Sequence, residues 1–114
     1  MEVVMGVCET AIVDPSVQID ATAIIGDYVH IAEGVQIGPG VVIGKCSVLE
    51  AGAYIGDYVH IAEGVYVAEG VQIGARASIQ RNAFIGQGVV IDDGTFIGQG
   101  VAVKSPTSLS MANS

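Results

Sequence analysis

The chain has 114 residues, 51% of them hydrophobic and only 14% charged, with 16 glycines and a formal net charge of -8. Four Lys and Arg against 12 Asp and Glu leave little to neutralise phosphates, so no nucleic-acid partner is expected. No apolar run approaches the roughly 18 residues of a membrane span, so no membrane partner is expected either, and the hydrophobicity is too high for a disordered chain.

Residues 1–10 read as a lead-in. They carry no basic start and no long apolar stretch, so no secretory signal is visible and a cytoplasmic location is expected. From Val13 the chain obeys one rule. Stepping by six gives Ile19, Ile25, Ile31, Ile37, Ile43, Leu49 and onward to Val103, which is 16 branched aliphatics with no slip. The residues two before them (Ala11, Val17, Ala23, Val29 and so on to Val101) are Ala or Val in 14 of 16 cases. A short period held this long marks a repeat solenoid. Inward residues spaced by two are strand alternation, and helical spacings of three and four are missing.

The glycines mark the corners. Gly34, Gly40, Gly52, Gly64, Gly70, Gly88, Gly94 and Gly100 all stand three after an aliphatic, and Asn82 takes the same slot. Gly and Asn tolerate positive φ, so a left-handed corner is expected at this phase. A strand of about four residues plus a two-residue corner, repeated identically, closes into a prism. Periodicity alone leaves open whether that prism has three sides or four.

The lines IVDPSV, IIGDYV, IGPGVV and IGQGVV, spread over residues 11 to 104, resemble the hexapeptide repeat of bacterial transferases. The resemblance implies an all-β fold, a left-handed parallel β-helix with three sides, three repeat units to the coil, a little over five coils and no inserted loop. On that reading residues 1–104 form the β-helix domain and 105–114 a polar C-terminal tail. Cys8 and Cys46 then lie about two layers apart, roughly 10 Å at about 4.8 Å per layer. That exceeds the reach of a disulfide, so two free thiols and no zinc site are expected.

Sorted by side, the outward residues fall into three columns. One holds Ile12, His30, Val48, Tyr66, Phe84 and Ala102. A second holds Ile24, Val42, His60, Ser78 and Phe96. The third, with Gln18, Gln36, Tyr54, Gln72 and Val90, is mostly polar. Full-height apolar stripes mark contact surfaces, so Ile12, Val48, Tyr66, Phe84, Ile24, Val42 and Phe96 are read as interface residues. Hexapeptide-repeat proteins are typically parallel-axis trimers, so the resemblance implies a homotrimer.

TAIVDPSV is similar to the lipid A pathway acyltransferases of this family. In such enzymes a histidine in the cleft between subunits acts as general base, two residues after the aliphatic, in contexts like I-A-H. This chain reads IAE at both such places, with Glu33 and Glu63 in the slot, and no unit puts a histidine there. The two histidines, His30 and His60, stand one before the aliphatic and point outward. The expected function is therefore a non-catalytic scaffold, assembly or binding module without a cofactor. The alternative is an acyl- or acetyltransferase with His30 or His60 as base, an acyl-CoA or acyl carrier protein donor, and a small-molecule acceptor. A zinc site shared between subunits, as in γ-class carbonic anhydrases of the same family, would need three histidines. The two here lie about 8 Å apart along the axis, so no metal is expected.

Overall fold

A computed structural model describes residues 6–104 and the backbone of Ser108–Leu109. Strands are short, two residues each: Ile12–Val13, then Ile24–Ile25, and from there one in every six-residue unit to Ser108–Leu109. The expected strand length of about four is too long, because the corners take up most of each unit. The unit at Ile19 contributes only an isolated bridge to Ile37, and Val7 one to Ile25.

Every strand pairs in parallel with the strand three repeat units away, as in Ile12↔His30 and Val42↔His60. Three sheets result. The first runs from Ile12–Val13 through His30–Ile31, Val48–Leu49, Tyr66–Val67 and Phe84–Ile85 to Ala102–Val103. A second contains Gln36–Ile37, Tyr54–Ile55, Gln72–Ile73, Val90–Ile91 and Ser108–Leu109. The last contains Ile24–Ile25, Val42–Ile43, His60–Ile61, Ser78–Ile79 and Phe96–Ile97. They are called here the His30, Tyr54 and His60 sheets. The three-sided solenoid that the resemblance implies is what forms. Leu109 stands in phase with the aliphatic column, so the ladder runs one strand past the expected boundary at Lys104. The rest of the tail lies outside the described residues.

In each strand the first residue faces out and the second in, for example an exposed His30 followed by a buried Ile31. The aliphatic column is fully enclosed from Ile25 to Ile97, with only Ile37 as much as 8% exposed. The Ala and Val column packs beside it along the whole prism. Ser47 interrupts that column without cost to hydrogen bonding: its hydroxyl donates to the Ala62 carbonyl at 2.8 Å and accepts from the Val65 amide at 3.2 Å. Thr95 is equally buried, and its hydroxyl has no partner among the described residues.

The corner slot adopts positive φ at every glycine expected there and at Asn82. Tyr28, Cys46, Tyr58 and Arg76 adopt it as well, with φ between 60 and 62. The interlayer hydrogen bonds impose this conformation whatever the side chain. Thus the Cys46 amide donates to the Asp27 carbonyl at 2.9 Å and the Arg76 amide to that of Asp57 at 2.8 Å.

The first corners are built differently, because Thr10, Ser16 and Thr22 occupy the slot. Their side-chain oxygens accept the amides of Tyr28, Gly34 and Gly40, one layer on, at 3.0, 3.0 and 2.8 Å. Asp14 and Asp20 tie these corners down by accepting the Ser16 and Thr22 amides, both at 2.9 Å. The Ser16 amide holds the Asp14 carboxyl below its ordinary range, and the Thr22 hydroxyl and amide do the same for Asp20. No helix among the described residues is long and apolar enough to cross a membrane.

Candidate functional site

Two strand positions carry the histidines. Each stands at the outward residue of its strand, so both imidazoles are exposed. They are not brought together. Five repeat units separate them, which is not a whole number of three-unit coils, so His30 lies on one sheet and His60 on another. The slot two after the aliphatic, where the resemblance would put a general base, falls in the corners, where Glu33 and Glu63 stand exposed. Those glutamates also belong to different corners, Glu33 leading to the Tyr54 sheet and Glu63 to the His30 sheet. Among the described residues neither histidine lines either of the two clefts, which lie on the Tyr54 sheet. A catalytic pocket at either histidine would need a wall from a second copy.

The expected interface residues are placed as outward columns on two sheets. On the His60 sheet Ile24 is 55% exposed and Phe96 52%, with Val42 half-buried between them. On the His30 sheet Ile12 is 66% exposed and Phe84 38%, while Val48 and Tyr66 are half-buried. Stacking explains why Tyr66 is covered. Its ring lies parallel to that of Phe84, one layer on, with centroids 5.4 Å apart.

Glu50 was not foreseen as part of this surface. The Tyr66 hydroxyl donates to Glu50 Oε2 at 2.8 Å. Accepting that bond, the carboxylate favours the protonated phenol and pushes the Tyr66 pKa up. The signal was present in the sequence, because Glu50 follows Val48–Leu49, the strand directly beneath Tyr66–Val67. The corner between the His60 and His30 sheets carries Asp27, Lys45, Glu63, Arg81 and Gln99, all exposed. Of these, Asp27 accepts a hydrogen bond from the Thr10 hydroxyl at 3.0 Å. Cys8 and Cys46 are free thiols, as the layer geometry requires.

Known proteins resemble this architecture. The family model for bacterial transferase hexapeptide (six repeats) matches residues 34–69. Among solved structures, the acetyltransferase domain of PglB from Neisseria gonorrhoeae, in complex with acetyl coenzyme A, superposes with a TM-score of 0.79 at 20% identity. That match covers 94% of this chain and 55% of the other. A mutant perosamine N-acetyltransferase from Caulobacter crescentus, in complex with CoA and GDP-perosamine, gives a TM-score of 0.53 at 27% identity. It covers 92% of this chain and 50% of the other. The chain therefore spans about half the length of these structures. No curated protein matches it by sequence. Residues 34–69 thus match the bacterial transferase hexapeptide model, and the described chain folds as a left-handed parallel β-helix.

Proposed function

We propose that this chain is a non-catalytic hexapeptide-repeat β-helix that assembles as a homotrimer and serves as a scaffold or binding module. The observation that carries this reading is the pair of exposed apolar columns on adjoining sheets, Ile12 to Phe84 and Ile24 to Phe96. Parallel-axis trimers bury two sides of each prism and leave the third to solvent. The polar Tyr54 sheet is the side with least to gain from burial. Each isolated apolar residue is ordinary on a surface, but apolar residues recur in both columns over the height of the molecule, interrupted by His30 on one and by His60 and Ser78 on the other, and such a stripe marks a contact. The catalytic slot of the family holds no histidine in any unit, which removes the usual base. Light scattering is expected to return a trimer for the wild type. The double substitution Ile24→Asp with Phe96→Asp places charges in the interface and should return a monomer with an unchanged circular dichroism spectrum. A monomeric wild type sinks the proposal.

A second reading is favoured by the likeness to an acetyltransferase at 27% identity. In it the chain transfers an acyl or acetyl group from an acyl-CoA or acyl carrier protein donor to a small-molecule acceptor in the cleft between subunits. His30 or His60 would take the proton from the acceptor hydroxyl or amine. Acetyl-CoA at about 1 mM, enough to saturate a site of micromolar affinity, would then raise the melting temperature. His30→Ala or His60→Ala would abolish transfer. Our expectation is no thermal shift and no turnover to abolish. A clear shift together with histidine-dependent transfer would replace the scaffold reading with this one.

A further inference from the structure

The Tyr54 sheet differs from the other two in what frames its outward column. Gln36 stands between Gly34 and Gly38, Tyr54 between Gly52 and Gly56, and Gln72 between Gly70 and Gly74. In three consecutive layers the outward side chain therefore has a bare backbone on both sides. A methyl group built at Gly52 or Gly70 would meet nothing within 4 Å, so the column is open on that flank, whereas at Gly38, Gly56 and Gly74 it would meet the next layer at Asp57, Ala75 and Asp93. On the His30 sheet no outward residue stands between two glycines, and on the His60 sheet Val42 and Phe96 do, in layers that are not adjacent.

Two shallow clefts lie on this sheet. One of about 470 Å³ is lined by Tyr54, Gln72, Gly74, Val90, Asp92 and Asp93 among others. Another of about 430 Å³ is lined by Gln18, Gly34 and Gln36 among others. Gln36, Tyr54, Gln72 and Val90 are paired in strict register, so they form a single file about 4.8 Å per step.

The chemistry of that file narrows the ligand. Tyr54 is 46% exposed and offers a flat apolar face together with a hydroxyl. The amides of Gln36 and Gln72, one layer to either side, each present both donors and acceptors. Val90 adds an apolar step, 37% exposed. None of the residues lining either cleft is basic, and Asp92 and Asp93 form one rim. One Asp93 carboxylate oxygen is already engaged by the Ala75 amide at 2.9 Å, while Asp92 is exposed. An anionic ligand is disfavoured there.

A pyranose has an apolar C–H face that lies on an aromatic ring and equatorial hydroxyls that suit paired donor and acceptor groups. It repeats along a chain, as the file does. We infer that the Gln36–Tyr54–Gln72 file is a binding site for a neutral or amino oligosaccharide lying along the solenoid axis. The site is complete within one chain and stands whether or not the trimer and the transferase reading hold.

The test is a titration of the ¹⁵N-labelled full chain with cellotetraose, with a chitosan tetramer and with a sulfated oligosaccharide. Cellotetraose or the chitosan tetramer should shift the amide signals of Gln36, Tyr54, Gln72 and their flanking glycines, with a Kd of about 1 mM. Tyr54→Ala should weaken that binding about tenfold, and Gln72→Ala severalfold. Lys45→Ala, on the corner between the His60 and His30 sheets, should leave it unchanged. All three side chains face solvent, so the variants should fold, which circular dichroism checks. No shifts with either sugar would overturn the inference. So would shifts with the sulfated oligosaccharide alone, or binding that survives Tyr54→Ala.

Discussion

Truncating Ile61 to alanine is expected to lower stability by about 2–5 kcal/mol, the range for removing a large aliphatic from a core that cannot close over the gap. Ile43 and Ile79 stand in register directly below and above it, and all three are buried to 1% exposure or less. Collapse would require those layers to approach each other, and the backbone ladder holds them apart. The Gly44 amide donates to the Ile61 carbonyl at 2.7 Å and the Ala62 amide to that of Ile79 at 2.9 Å. The cavity should therefore stay open and the loss should approach the top of the range. Val103 is only half-buried near the end of the column, so Val103→Ala should cost about 1 kcal/mol. Urea denaturation measures both. A stacked solenoid couples each layer only to its neighbours, so the Ile61 variant should also show a shallower transition as the two halves uncouple. A loss below about 1 kcal/mol for Ile61→Ala would mean the layers do relax, against the rigidity argued here.

The aliphatic column made this core legible before any coordinates. Each of its residues repeats one environment, so period, strand alternation and burial all agree. The corners were less legible. Gly and Asn announce a left-handed residue, but Tyr28, Cys46, Tyr58 and Arg76 give no local sign of one. Their conformation comes from the interlayer hydrogen bonds, a tertiary constraint that overrides residue preference. Ser16 and Thr22 could have been read, since Asp14–Ser16 and Asp20–Thr22 have the spacing of side-chain-capped turns.

The histidines were placed correctly on outward positions of different sides, because a shift of five repeat units does not preserve the side. Period alone did not bring out the Glu50–Tyr66 bond or the glycine framing of the Tyr54 column. The bond, and the stacking of the three glycine-framed residues in one column, link residues about one coil apart. They emerge only when the chain is folded at three units to the coil, not scanned one unit at a time.

Two kinds of glycine occupy this chain for different reasons, and one set of substitutions separates them. Gly44 follows an aliphatic and needs no positive φ. A methyl group there would stand 2.7 Å from the carbonyl carbon of Ala62 and 2.7 Å from the Glu63 amide nitrogen, both backbone atoms of the next layer. Gly44→Ala must lift that layer, which should cost about 1–3 kcal/mol, the range for overpacking. Gly44→Asn should cost at least as much, because Asn has the same Cβ. Gly52 sits in the left-handed slot with φ 74 and open space around it. There the constraint is torsional, and Asn tolerates it, as Asn82 already does in the same slot at φ 61. Gly52→Asn should therefore be nearly neutral.

The converse holds at Cys46, an exposed residue held at φ 62. Cys46→Gly relieves a left-handed strain of about 1–2 kcal/mol and returns part of it through the greater freedom of glycine in the unfolded chain. A net gain of about 0.5–1 kcal/mol is expected. Thermal or urea melts of the four variants give the order Cys46→Gly, Gly52→Asn, Gly44→Ala, Gly44→Asn from most to least stable. If Gly44→Asn matched Gly52→Asn, layer spacing would not be what selects glycine after the aliphatic. The interlayer contact would then be softer than the hydrogen-bonded ladder implies, and the layers around Ile61 would be free to close over the gap left by alanine.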